Sequence, residues 1–349
     1  MGIESIKIDN VSVFDTLEIG FSKGINVFIG DNGTGKTHLL KILYACCEAA
    51  NGNFNFTTVE QLGFGKSMEI MPDCFISYQI VNLIACIRPD VEHGLMRSMS
   101  KGYQINIRFH NHENIFPPSV STTDWNITPA NRIQSVFIPA KEMLTHSGME
   151  NDYRDRYLPF DKTLIDIIEK SNISELRAPP EDMEEVIEKI KKIIGGKVIY
   201  TEKEFFIKRG EVKRGFQVEA EGHKKFALIE RLIKTGKVNR DSILFWDEPE
   251  ANISPKNVPE LVDILFDLQK AGVQIFLATH DYLITKYIEY RMDKESNDVL
   301  FHSLYRKDSN DMESPVLVES SVDFTEMEHN DIVLQPIALY KKLLDKGMD

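Results

Sequence analysis

The stretch GDNGTGKT, Gly30 to Thr37, decides how the rest of the chain is read. Gly30, Gly33 and Gly35 let the backbone turn tightly, so that N–H groups along Asp31, Asn32 and Thr34 face inward, where phosphate oxygens bind. Lys36 is placed to reach the β- and γ-phosphates of a nucleoside triphosphate. Thr37 offers its hydroxyl to magnesium, a hard cation that keeps oxygen ligands. A chance glycine-rich turn would not be expected to come with its flanking context. Here the buried run from Ile25 to Ile29 predicts a strand that delivers the chain to the loop, and Lys36 to Ala50 predicts the helix that leaves it. The later GFGK, Gly63 to Lys66, lacks both the spacing and the preceding strand and reads as a turn.

Outward from this loop, apolar residues alternate at Ile3, Ile6 and Ile8 and again at Leu17, Ile19 and Phe21, which predicts two strands before it. Between Asn51 and Asn131 the pattern weakens to one helix near Tyr78 to Ile87 and an alternating strand from Tyr103 to Phe109. A buried strand from Ile133 to Ile138 ends at Pro139. The chain then turns helical and charged as far as Gly195, with helices expected at Lys162 to Ser171 and Glu181 to Ile194. Short strands at Val198 to Tyr200, Phe205 to Lys208 and Val212 to Val218 lead to a helix from Gly222 to Thr235. A regular alternation follows: strand Ser242 to Trp246, helix Pro255 to Lys270, strand Val273 to Ala278, helix Tyr282 to Tyr290. Such alternation indicates βαβ units and a parallel sheet with its ligand site at the strand ends.

Two of those strand ends carry chemistry. ILFWDEPE, Ile243 to Glu250, runs four apolar residues into adjacent acids. Asp247 is placed to hold magnesium through its water shell, and Glu248 to orient and polarise an attacking water, since phosphoryl transfer rests on positioning and charge stabilisation. Acids that merely cap the next helix would account for one carboxylate better than for two. FLATHD, Phe276 to Asp281, ends another buried strand in His280. A lone histidine is ordinarily a core or surface residue. The position of this one, a single βα unit after the acids, brings it toward the γ-phosphate, where it can donate a hydrogen bond.

Composition sets the outer limits. The 349 residues are 42% hydrophobic and 27% charged, enough to bury a sizeable core and ordinary for a globular protein. Neither an apolar run of membrane-spanning length nor a signal-like start is found, so a cytoplasmic protein is expected. Cys46, Cys47, Cys74 and Cys86 have no metal-ligand spacing and read as reduced core residues. A net charge of −13 argues against a surface that binds nucleic acid throughout. It leaves room for a local basic patch among Lys203, Lys208, Arg209, Lys213, Arg214, Lys224 and Lys225, although most such runs are solvated faces.

The order of phosphate loop, DEPE strand and THD histidine resembles the ABC-type ATPases, in particular their RecF-like and OLD-like soluble branch of AAA-type ATP-binding proteins. The resemblance runs through Met1 to Ala50 and Val218 to Tyr290. It implies an α/β P-loop NTPase fold with an ABC-ATPase-like core and a helical insertion subdomain. Residues 1–138 would form the N-terminal part of the core, 139–195 the insertion, and 196–349 the C-terminal part. Gly30 to Thr37 would be Walker A, Asp247 the Walker B acid, Glu248 the catalytic glutamate, Glu250 to Ser254 the D-loop and His280 the switch histidine, with ATP and magnesium as ligands.

The family's signature loop has a candidate in AEGHKK, Ala220 to Lys225, which departs from the usual LSGGQ. Glu221 stands where a serine would meet phosphate and His223 where a second glycine would lie. Gly222, the helix N-terminus and Lys224 can still serve an anion. For the Q-loop, only Glu142 offers itself. The resemblance further implies a homodimer that sandwiches ATP, and a separate effector, nuclease or toxin, in anti-phage defence, because the residues after His280 hold no Asp-x-Asp metal pair. The alternative is a DNA-repair or chromosome-maintenance ATPase like RecF that binds DNA. A transporter subunit would be expected to carry a regular LSGGQ and a shorter helical subdomain. A kinase is disfavoured by the paired acids and the histidine.

Overall fold

A computed structural model describes residues 2–50, 104–109, 133–147, 162–293 and 298–347. The expected helix near Tyr78 to Ile87, the GFGK turn, Cys74 and Cys86 lie outside the described residues.

A six-stranded sheet carries the fold. Its strands are β3 (Ile25–Gly30), β5 (Ser135–Ile138), β9 (Ile243–Asp247), β10 (Gln274–Ala278), β11 (Val299–Arg306) and β12 (Val316–Ser321), in the order β12-β11-β3-β10-β9-β5. All neighbours pair in parallel except β12, which runs antiparallel to β11. Strands covered on both faces should be apolar throughout rather than alternating, and β9 and β10 are buried at every position.

The two faces feed two cores. Ile25, Val27 and Ile29 of β3, Leu244 and Trp246 of β9, and Ile275 and Leu277 of β10 point into one cluster. Phe28, Phe245 and Phe276 point into the other, where Phe276 stacks on Phe245 at 5.1 Å between ring centroids. Helix α1 (Lys36–Ala50) and the antiparallel sheet of β2 (Phe14–Gly20), β1 (Ile3–Val11) and β4 (Gln104–Phe109) cover the aromatic face. Gln274 ties that small sheet to the large one: its side chain accepts from the Ile3 amide at 2.7 Å and donates to the Ile3 carbonyl at 2.8 Å. Cys46 and Cys47 are free and buried on α1, and burial pushes the Cys46 thiol up to about 12, so it stays protonated.

The opposite face is covered by α2 (Lys162–Asn172), α3 (Glu184–Ile194), α4 (Glu221–Lys234), α5 (Val258–Lys270) and α6 (Tyr282–Arg291), together with a second antiparallel sheet, β6 (Lys197–Thr201), β7 (Glu204–Arg209) and β8 (Val212–Gly215). Helix α3 stops at Gly195, whose φ of 65° is the left-handed cap that glycine adopts without penalty. The strand expected from Val212 to Val218 ends at Gly215, because Phe216–Val218 tighten into a 3-10 turn that buries Phe216. Likewise 3-10 turns replace the first residues of the helices expected at Glu181 and Pro255. Helix α7 (Asp331–Gly347) follows β12. Among the described residues no helix is long and apolar enough to cross a membrane.

A buried polar network joins α1 to α2. Lys170 donates to the Tyr44 hydroxyl at 2.8 Å, to Glu48 Oε1 at 2.9 Å and to the Ser135 carbonyl at 2.8 Å. Tyr44 in turn donates to Asp166 Oδ2 at 2.8 Å.

Candidate nucleotide site

Strand register assembles the site. Phe28 of β3 lies opposite Ala278 of β10, and Ala278 opposite Asp247 of β9. With neighbouring strands about 4.8 Å apart, the loop entered at Gly30, the acids at Asp247 and Glu248, and His280 therefore share one edge of the sheet. This is the carboxyl edge, where parallel sheets place their ligands.

The loop has the backbone that its sequence predicts. Gly30, Gly33 and Gly35 have φ of 134°, 77° and 92°, values that side-chain-bearing residues rarely adopt. A Cβ at Gly35 would lie 2.6 Å from the Val13 side chain, and one at Gly30 would lie 2.1 Å from the Leu304 carbonyl. Lys36 is buried and folds over the loop, donating to the carbonyls of Gly30 at 2.9 Å and Asp31 at 2.8 Å. Burial lowers its pKa to about 8 against the opposing pull of Asp31, Asp247 and Glu248. A cation held this way among carboxylates is poised to exchange its carbonyl partners for phosphate oxygens.

Thr37 sits on the first turn of α1 and donates its hydroxyl between Asp247 Oδ1 at 3.0 Å and Oδ2 at 3.1 Å. Burial pushes the Asp247 carboxyl up to about 6; the Thr37 hydrogen bond opposes that shift and neighbouring Glu248 adds to it. A hydroxyl on a buried carboxylate that ionises at a cost is a donor set suited to magnesium, with few protein oxygens and room for water and phosphate. Glu250, next but two along, is also raised by burial; its Oε1 accepts from Thr279 at 2.6 Å while its Oε2 has no hydrogen-bond partner among the described residues.

Glu248 has a left-handed φ of 48°, strained for a residue with a side chain, and three contacts fix it there. Its amide donates to the Ala278 carbonyl at 2.8 Å; its own carbonyl accepts from the Ala251 amide at 3.1 Å and from Lys225 Nζ at 2.8 Å. His280 projects at the end of β10, where loss of solvent on its protein side and then the Lys36 charge lower its pKa, so the ring is neutral at pH 7. Asp281 caps α6 by accepting from the Ile284 amide at 2.8 Å.

The AEGHKK segment opens α4 beside the acids. Gly222 packs on the turn after Glu248: a Cβ there would come within 3.1 Å of the Asn252 carbonyl. Lys224 is buried and donates to Glu221 at 2.6 Å and to the Thr145 hydroxyl at 3.1 Å, with Glu142 at 3.7 Å. Glu142 accepts from the amides of Leu144 and Thr145, so it organises its own turn.

Two residues escaped the sequence reading. Neither the charged run nor the AEGHKK segment gives Lys225 a role of its own, yet it is buried and grips Glu248, and burial lowers its pKa to about 8. Arg306, at the end of β11, donates to the Gly33 carbonyl at 2.9 Å and to the Ser314 carbonyl at 2.9 Å, so it braces the phosphate loop. No motif announces either residue; the apolar i, i+3, i+4 spacing of α4 around Lys225 was the one available hint.

The chain is similar to several known proteins. Residues 100–285, just over half of the chain, match the family described as "AAA domain, putative AbiEii toxin, Type IV TA system". Shorter stretches are similar to DNA replication and repair protein RecF, 45% identical over 49 residues in Clostridium botulinum and 49% over 47 residues in Cytophaga hutchinsonii. These matches cover 14% of this chain and only 14% and 12% of the relatives' own lengths. Among solved structures, the SMC head domain from Thermotoga maritima is similar at 13% identity, with a TM-score of 0.46 and 92% and 99% of the two chains covered. The ADP conformation of MJ1267, an ATP-binding cassette of an ABC transporter, is similar at 12% identity and a TM-score of 0.38, with 87% of each chain covered. The chain belongs to this AAA-domain family, and its phosphate loop at the carboxyl edge of a parallel sheet gives it the fold of a P-loop NTPase.

Proposed function

We propose that this family member binds and hydrolyses ATP with magnesium and works as a molecular switch, closing on a second copy around nucleotide to control a separate effector. One observation carries the nucleotide part: the Thr37 hydroxyl rests on the Asp247 carboxylate beneath a phosphate loop whose Lys36 is folded inward. ATP would supply the electrophilic phosphorus and bound magnesium would neutralise phosphate charge.

The chain's residues then divide the work. Backbone amides of Asp31 to Gly35 and the Lys36 ammonium hold the phosphates, and Thr37 and Asp247 hold the metal through oxygen. Glu248 orients water in line and accepts its proton, while neutral His280 donates a hydrogen bond to the γ-phosphate end. The resemblance to ABC-type ATPases supports the dimer, with Gly222 and Lys224 of one copy facing nucleotide on the other; Lys224 would first have to leave Glu221 and Thr145.

The family description names a putative toxin of a Type IV TA system, which supports a link between this ATPase and a toxin as its effector; a setting in anti-phage defence is part of the proposal. The stretches shared with RecF favour the second reading, a DNA-repair ATPase. Phosphate release tests the proposal: wild type should hydrolyse ATP, Lys36→Ala should neither bind nor hydrolyse it, and Glu248→Gln should bind it but turn over ~10²–10⁴-fold more slowly. Turnover by Glu248→Gln at the wild-type rate would sink the assignment. Stimulation of turnover by duplex DNA would favour the RecF-like reading, and co-purification of a nuclease or toxin the effector reading.

A further inference from the structure

The basic run noted in the sequence separates, once folded, into spent and unspent charge. Lys224 and Lys225 are buried and bonded within α4 and to Glu248. Arg209 donates to Glu219 at 2.6 Å and to the Ile194 carbonyl at 2.8 Å. Two of the remaining charges, Lys208 and Lys213, fall into a line with Lys197, which precedes that run. Lys197 of β6 lies directly opposite Lys208 of β7, which lies directly opposite Lys213 of β8.

Residues paired across a sheet share a face, so three lysines stand side by side across all three strands of an otherwise acidic protein. None of the three makes an ion pair within the described residues. Like charges directly opposite each other destabilise a sheet. Lysines on exposed edge strands commonly serve to block edge-to-edge pairing, which accounts for Lys197 and Lys213. It does not account for Lys208, which sits on the central strand.

The next row on the same face is apolar: Ile199 opposite Phe206 opposite Gly215. The inner face of the sheet is filled by Val198, Phe205 and Ile207, but Ile199 and Phe206 are half-buried on the outer one. Gly215 places no side chain of its own against the Phe206 ring, and the Gln217 side chain lies beside that glycine. The acid on this face, Glu204, lies four residues from Lys208, about 13 Å along the strand. A lysine row beside a half-exposed aromatic ring is the pairing that tracks a phosphate backbone and stacks a base.

We propose that the outer face of the β6–β7–β8 sheet binds single-stranded nucleic acid, with Lys197, Lys208 and Lys213 on consecutive phosphates and Phe206 against a base. This goes beyond the ATP switch and shares no residue with it.

The test is fluorescence anisotropy of the full chain with labelled 20-nucleotide oligothymidylate and oligouridylate across a salt series. It compares wild type, the triple variant Lys197→Gln/Lys208→Gln/Lys213→Gln, and Phe206→Leu. Three phosphate contacts on a single strand contribute about 2 to the slope of log affinity against log salt, so the triple variant should lose about that much slope on either oligonucleotide. Phe206→Leu should weaken binding ~5–100-fold with the slope unchanged. Oligodeoxyuridylate, which differs from oligouridylate in the sugar alone, identifies the sugar preferred.

No binding by wild type, or an unchanged slope in the triple variant, overturns the proposal. So does loss of binding confined to vesicles of 30% phosphatidylserine in phosphatidylcholine, which would assign the row to a membrane. Phosphate release from ATP should be equal in all three proteins, so a failure of the ATPase reading and a failure of this one remain distinguishable.

Discussion

Lys225 donates its ammonium to the main-chain carbonyl of Glu248 at 2.8 Å, tying the start of α4 to the residue just past the end of β9. The lysine is 4% exposed, and the residue it holds is in a left-handed conformation with φ of 48°. Helix α4 also carries Gly222 and Lys224, so the signature-like segment and the glutamate proposed to activate water form one mechanical unit.

Removing that tie should loosen Glu248 without touching the phosphate loop. Lys225→Met is expected to slow ATP turnover by ~10–100-fold, as displacing a reacting group by about 1 Å does, while ATP affinity stays within about twofold. Lys225→Arg, which keeps a donor, should recover part of the rate. Parallel losses of affinity and turnover would assign Lys225 to general packing instead.

Asp247 makes the nucleotide-free protein sensitive to pH. Its folded pKa of about 6 lies above the unperturbed 3.8, so the folded form holds the proton more tightly than the unfolded form. Stability is then greatest below about pH 4 and falls as pH rises through 6, by about 3 kcal/mol in all. Asp247→Asn removes the ionisation. Thermal melts should show the variant more stable than wild type above pH 6 and the two converging below pH 4; a gap independent of pH would contradict the burial of that charge.

Lys170 joins α1 to α2 through Glu48, Tyr44 and Ser135. Lys170→Met takes the ammonium 2.9 Å away from the Glu48 carboxylate, which is 8% exposed, and should cost about 3 kcal/mol in urea unfolding. Because the loss comes from the abandoned charge, adding Glu48→Gln should restore part of it. A double variant no better than the single one would mean that the loss is one of packing.

The sequence made the site's main residues legible because each sits where a buried strand stops. Apolar runs ending at Gly30, Asp247 and Ala278 mark one edge of a parallel sheet, and only the register, Phe28 to Ala278 to Asp247, had to come from the fold. Strand β11 escaped notice because His302 and Ser303 break its apolar run. In the structure both are buried: His302 bonds Ser320 at 2.8 Å and stacks on Phe28, and burial drives its pKa down to about 3. The roles of Lys225 and Arg306 were invisible for a different reason. Their partners are main-chain carbonyls of Glu248 and Gly33, far away in sequence, and a carbonyl leaves no trace in the residue code. The lysine row was hidden because Lys197, Lys208 and Lys213 become neighbours only through the register of two strand pairs.

The central claim is a site completed by a second copy of the chain, and sedimentation velocity of Glu248→Gln with and without magnesium and ATP tests it most directly. ATP should shift the variant from monomer to twice the monomer mass, and adding Lys36→Ala should abolish the shift. A monomer under every nucleotide condition, with ATP bound, would contradict the composite site.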